Sequence, residues 1–76
     1  MKRIIIVDDE ENIGRSLRMI LEREGYGVTV FHTQAAVKSF PARADIWLLD
    51  VRLPDGSGIE LLKHVKQTDP SVPVIM

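Results

Sequence analysis

Asp50 closes the apolar run Ile46-Trp47-Leu48-Leu49 and is followed by the turn-rich string Val51-Arg52-Leu53-Pro54-Asp55-Gly56-Ser57-Gly58. A second apolar run, Ile4-Ile5-Ile6-Val7, also ends in acid, the doublet Asp8-Asp9. Buried strands that stop in acid put their carboxylates at the rim of a sheet. If the two strands are parallel neighbours, three carboxylates meet in one crevice. Carboxylates brought together repel one another, and a cation between them relieves the repulsion. Hard oxygen donors suit Mg2+ or Mn2+ better than Zn2+, which prefers nitrogen and sulfur. Beside such a cation, Asp50 is the candidate nucleophile toward an incoming phosphoryl group.

Each piece also has a plainer reading. Asp8 and Asp9 fit a helix cap and a first-turn acid, and Asp50 fits an Asx turn. Pro54-Asp55-Gly56 is ordinary turn chemistry and is assigned no reactive role. Glu10 and Glu11 read as solvated charges at a helix start. His32 and His64 read as surface residues without a ligand partner, and Trp47 reads as core. The joint arrangement, two acid-terminated strands with one followed by a Pro-Asp-Gly turn, favours the site.

The elements that must position these residues alternate along the chain. Residues 4–7 form an uninterrupted β-branched run, the mark of a strand buried on both faces. From about Glu11 the period changes: Ile13, Leu17, Ile20 and Leu21 make one apolar helical stripe. Asp9, Glu10 and Glu11 lie where the helix dipole favours negative charge, and Gly25 is the expected stop. Gly14, costly in a helix interior, suggests close backbone packing. Residues 28–31 read as a second strand. Thr33 caps a short helix over 34–40 that ends at Pro41.

Residues 46–49 are the third strand. The turn through Pro54 and Gly56 leads into a third helix, in which Ser57 and Glu60 have the spacing of a reciprocal capping box. That helix ends at Asp69-Pro70, and residues 72–76 form a fourth strand. Strands joined through helices are parallel with right-handed crossovers, so the order β-α-β-α-β-α-β defines an α/β sheet covered on both faces. The apolar end of the chain leaves a sheet edge that only Pro73 blunts, an invitation to pair with a second copy.

Composition bounds the rest. Seventy-six residues make one small domain, 45% hydrophobic and 28% charged. The net charge is −1 and the longest basic run is Lys2-Arg3, which gives no reason to expect direct nucleic-acid binding. Cysteine is absent, which excludes disulfides and thiolate chemistry. The apolar stretch after Met1-Lys2-Arg3 stops at Asp8, short of the roughly 7–15 residues of a secretory signal. No run approaches the ~20 apolar residues of a membrane span. A soluble, cytoplasmic protein is expected.

With these residues in view, the sequence resembles a known family. Ile-Ile-Ile-Val-Asp-Asp-Glu at 4–10, Leu-Leu-Asp at 48–50, Leu-Pro-Asp-Gly-Ser-Gly-Ile-Glu-Leu-Leu at 53–62 and Pro-Val-Ile-Met at 73–76 are similar to receiver domains of bacterial two-component response regulators, with the flavour of the NtrC type. The resemblance implies a flavodoxin-like, doubly wound sheet with strand order 2-1-3-4. It implies that Asp50 accepts a phosphoryl group from a sensor histidine kinase. It further implies that Asp8, Asp9, Asp50 and the backbone carbonyl of Arg52 form the Mg2+ site, Asp8 often acting through water. A full receiver continues past a fourth strand with a Ser/Thr, then a Lys after a fifth strand, and these 76 residues contain neither. The expectation is therefore a truncated receiver, 1–76, holding the acidic half of the site, with phosphotransfer impaired.

Two other functions fit parts of this pattern. An aspartate-nucleophile phosphatase or phosphotransferase wants a second Asp two residues after the nucleophile, and Arg52 stands there instead. A self-associating half-domain, joined through the exposed fourth-strand edge and the uncovered first helix, is compatible with a receiver origin and makes a homo-oligomer.

Overall fold

The structure is a computed structural model that describes residues 1–39 and 43–76. Four parallel strands form the sheet: β1 (Arg3–Val7), β2 (Gly27–Phe31), β3 (Ile46–Leu49) and, at the far edge, β6 (Val74–Ile75). Their spatial order is β2-β1-β3-β6, so the expected 2-1-3-4 order holds for the parallel sheet. Between β3 and β6 lies a small antiparallel hairpin, β4 (Arg52–Leu53) with β5 (Gly56–Ser57), where the sequence had indicated only a turn. Three helices complete the fold: α1 (Glu11–Arg23), α2 (Gln34–Lys38) and α3 (Gly58–Thr68).

The β-branched run of β1 is buried on both faces, and its alternation divides the core in two. Ile5 and Val7, with Trp47 and Leu49 of β3, pack against Val37, Leu53, Leu61, Val65 and Val72. Ile4 and Ile6, with Val28 of β2, face the other way, toward Leu17 and Leu21 of α1. Leu61 is fully buried and anchors α3 to the sheet. Central strands wanted on both faces must be apolar at every position, which is what Ile4 to Val7 supply.

The α1 stripe is only half used. Leu17 and Leu21 pack on the sheet, whereas Ile13 and Ile20 are 48% and 57% exposed. The helix lies over β1 and β2, and Ile13 on its flank borders a groove toward β3 and β6, over which no described helix runs on that face. Gly14 is buried where α1 crosses β2: a Cβ there would stand 3.0 Å from Val30 Cγ1, so the expected close approach is real. Gly25 stops the helix with φ +92°, a conformation glycine adopts without steric cost.

Several local expectations are corrected. Ser57 does cap α3, but it accepts from the amide of Ile59 rather than that of Glu60, so the reciprocal box does not form. Both amides are orphans of the first turn, and the Ser57 hydroxyl reaches the nearer one. Thr33 caps α2 as expected, accepting from Ala36, but the helix ends at Lys38; the part assigned to Pro41 lies outside the described residues. The last strand is two residues long instead of five, because only Val74 and Ile75 come into register with Trp47 and Leu48. Pro73 does not blunt the edge either. Its carbonyl accepts from Trp47, so it faces β3, and alternation turns the polar groups of Val74 outward. Lys66 donates to the carbonyls of Pro70 and Val72, tying the end of α3 to the approach to β6.

Candidate metal and phospho-acceptor site

The register between β1 and β3 decides where the acids go. Ile4 pairs with Ile46 and Val7 with Leu49, so one step further along the ladder Asp8 stands beside Asp50. Neighbouring strands lie about 4.8 Å apart, within reach of two short side chains. The ladder continues past the strand ends to hold both backbones: Asp50 N donates to Val7 O at 2.8 Å, and Asp8 N donates to Phe31 O at 3.0 Å. Asp9 follows as the chain turns into α1. The result is that carboxylate oxygens of Asp8, Asp9 and Asp50 all lie within 4.8 Å of one another, the first and last half-buried and Asp9 exposed.

The plainer readings of these acids hold as well, and are compatible with the cluster. Asp8 Oδ1 accepts from Glu10 N at 2.8 Å, an Asx turn that leads into α1. Asp50 Oδ1 accepts from Arg52 N at 3.3 Å, bending the chain just past β3. Each carboxylate has two oxygens, so a local turn bond leaves capacity for a second partner. Glu10 sits at the N-cap without a side-chain cap bond, and both Glu10 and Glu11 are exposed.

Arg52, the fourth candidate ligand through its carbonyl, opens the β4–β5 hairpin with its side chain exposed. Gly58 fixes the distance between this hairpin and Asp50. A Cβ at Gly58 would lie 1.9 Å from Asp50 O, and the Gly58 amide donates to Val51 O at 2.7 Å. The start of α3 therefore presses directly on the backbone of the acidic strand end. His32 is exposed, with Nδ1 2.9 Å from the Asp8 carbonyl oxygen, to which a protonated Nδ1 donates. His64 lies exposed on α3. Trp47 is core, as expected.

The donor set fits a small hard dication. Ligands at the 2.0–2.1 Å typical of Mg2+ stand at most about 4.2 Å apart, so a span of 4.8 Å needs only a slight contraction. No thiolate and no imidazole nitrogen joins the cluster among the described residues, which argues against Zn2+. From the carboxylates an open groove of about 360 Å³ runs along the sheet between α1 and β6, walled by Ile13, Leu17, Leu48, Ile75 and Met76.

One residue near the site carries more than its sequence reading allowed. Asp55, in the hairpin turn, receives Gln34 N on Oδ1 and Ala35 N on Oδ2, each at 2.9 Å. These bonds from Gln34 and then Ala35 hold its carboxyl below the usual carboxylate range. Gln34 is the one buried polar residue among those described, 4% exposed, and its Nε2 donates to Ser57 O at 3.0 Å. Neither role was legible in the sequence, because both partners lie about 20 positions away with no periodicity to mark them.

A parallel sheet of order 2-1-3-4 with paired acids at its carboxyl edge is an α/β domain with its site where such sheets place ligands. Residues 4–76 match the response regulator receiver domain family, and the chain belongs to it. The transcriptional regulatory protein CssR of Bacillus subtilis is 41% identical over 73 residues, covering 95% of this chain and 32% of that protein. The chain thus spans about a third of the length of such relatives. Among solved structures, response regulator TrrA of Thermotoga maritima in complex with Mg2+ and BeF is similar with a TM-score of 0.87 and 33% identity, covering 100% of this chain and 68% of that one. TrrA is also known in complex with the histidine kinase ThkA. The beryllofluoride-activated NtrC4 receiver domain dimer matches with a TM-score of 0.81 and 38% identity over 99% of this chain and 64% of that one. Both matches are response regulators, and the receiver family is what they share.

Proposed function

We propose that this chain is the phospho-acceptor module of a two-component regulator, phosphorylated on Asp50 by a sensor histidine kinase with Mg2+ or Mn2+ bound nearby. The observation that carries the reading is the convergence of Asp8, Asp9 and Asp50 at the ends of two adjacent parallel strands. The matched relatives, regulators rather than catalysts by name, and the TrrA complexes with Mg2+ and with a kinase support it.

In the proposed reaction an Asp50 carboxylate oxygen attacks the phosphorus of a phosphohistidine. The new O–P bond forms as the N–P bond breaks, and the imidazole leaves with the electron pair. Asp8, Asp9, Asp50 and the Arg52 carbonyl would hold the metal, which offsets charge on the phosphoryl oxygens when bound. The Asx bond from Arg52 N fixes the rotamer of Asp50 before attack. An acyl phosphate adds negative charge and acceptor oxygens at the mouth of the groove, enough to bias a neighbouring interface. These 76 residues carry the acidic side of the site.

A phosphatase reading has no comparable support, since Arg52 occupies the position where a second Asp is wanted. The proposed location is the cytoplasm, and no direct nucleic-acid contact is proposed for this segment. Self-association through β6 is proposed from the outward polar groups of Val74 and the exposed Ile75, Met76, Ile13 and Ile20.

Incubation with a small phosphodonor and Mg2+, followed by intact mass measurement, tests the central claim. One added phosphoryl group is expected, and Asp50→Asn should remove it. Modification that persists in Asp50→Asn would overturn the assignment. Light scattering tests the assembly: a strict monomer at high concentration would refute pairing at the β6 edge.

A further inference from the structure

The β4–β5 hairpin has two residues in each strand, and a two-stranded hairpin of that size does not hold its shape alone. The five residues of α2 are likewise too few to persist as an isolated helix. Yet the hairpin begins at Arg52, whose carbonyl the proposed function makes a metal ligand. Something must fix its distance from Asp8, Asp9 and Asp50. One tether is Gly58 against Asp50 and Val51. The other is the set of bonds that joins the hairpin to α2.

That second tether is specific. The first three amides of α2 are all taken: Gln34 and Ala35 by the two oxygens of Asp55, and Ala36 by Thr33 Oγ1. Gln34, buried, returns a bond from its Nε2 to Ser57 O on β5. Gly56 between them has φ +148°, and a Cβ there would meet Gln34 Nε2 at 2.4 Å, so glycine both allows the backbone and leaves room for the amide. Leu53, buried in the core, seats the hairpin from below. The clasp therefore grips the hairpin's turn and its second strand from one helix end, and the pairing of Ser57 with Arg52 carries the hold to the first strand.

We infer that Asp55 and Gln34 are positioning residues for the acidic site: by clasping the hairpin to α2 they hold the Arg52 carbonyl in place beside the carboxylates of Asp8, Asp9 and Asp50. The metal part rests on the function proposed above; the mechanical part does not. Groups that orient ligands from outside the coordination shell commonly change metal affinity by about tenfold or more. Thr33 provides the control, because its removal weakens the same end of α2 without releasing the hairpin.

The test uses the full 76-residue chain as wild type, Asp55→Ala, Gln34→Leu, Thr33→Ala and Asp9→Ala. Amide hydrogen exchange without metal reads the clasp, and Mg2+ titration followed by Trp47 fluorescence reads the site. Asp55→Ala and Gln34→Leu are expected to speed exchange at the Gly58 amide and weaken Mg2+ binding about tenfold, while Thr33→Ala does neither. Asp55→Asn, which keeps one acceptor oxygen, should restore part of both. Unchanged Gly58 exchange in Asp55→Ala and Gln34→Leu overturns the inference, as does an equal change in Thr33→Ala. If exchange responds but wild type and Asp9→Ala are equally silent to Mg2+, the metal reading fails and the mechanical link stands.

Discussion

Asp55 shows how much one turn residue can organise. Because the amides of Gln34 and Ala35 stabilise its charged form, its carboxyl is held below the ordinary carboxylate range, with Lys38 adding a smaller pull in the same direction. A lowered value means that the unfolded chain binds the proton more readily than the folded one. The cap's contribution is therefore present above the ordinary carboxylate value and is lost as pH falls through the lower, folded-state value. Thermal melts across a pH series should show wild type more stable than Asp55→Asn at neutral pH, with the gap closing in acid. Since Asp55 is exposed, the gap should also shrink in high salt. Gly58 acts through volume instead of charge. Gly58→Ala would place a methyl group 1.9 Å from Asp50 O, and the displacement should cost about 3 kcal/mol, seen as a fall in Tm of more than about 10 °C.

Among the elements, α1 and α3 make an instructive contrast. Leu61 of α3 is fully buried against β1 and β3, so Leu61→Ala should lose about 3 kcal/mol by urea denaturation. Ile20 of α1 belongs to the same kind of apolar stripe but is 57% exposed, and Ile20→Ser should change stability by less than about 0.5 kcal/mol. Periodicity gives Ile13, Leu17, Ile20 and Leu21 one common face. The helix orientation then packs Leu17 and Leu21 on the sheet, leaves Ile13 at the groove and leaves Ile20 exposed. A hydrophobic period tells which residues want cover, and only the neighbouring elements tell which receive it.

For the molecule as a whole, the acidic cluster links ligand binding to folding. A cation that binds the folded chain and not the unfolded one stabilises by mass action, about 2.7 kcal/mol at a hundred times Kd. In a domain of this size that corresponds to a Tm rise of about 10 °C or more. Saturating Mg2+ should raise the wild-type Tm and leave Asp9→Ala unmoved, as read by circular dichroism. Equal responses in the two would show that the ion acts elsewhere. The open groove between α1 and β6 is the other whole-molecule feature, since it brings the acidic site and the uncovered apolar surface onto one face.

Much of this was settled along the chain itself. Ile4 to Val7 are apolar at every position because the central strand is covered twice, Ile46 to Leu49 are apolar throughout with Trp47 and Leu49 buried, and acid enters where each strand leaves the core. Alternation of strands with helices then imposes parallel order, and the family likeness rests on the same local strings. Folding alone decided the register that sets Asp8 beside Asp50, the wedge of Gly58 under the acidic strand end, and the grip of Asp55 and Gln34 across the hairpin. The register and the grip join groups about 20 to 40 positions apart, and the wedge is a backbone approach that no propensity or period marks; only the packed sheet fixes who touches whom.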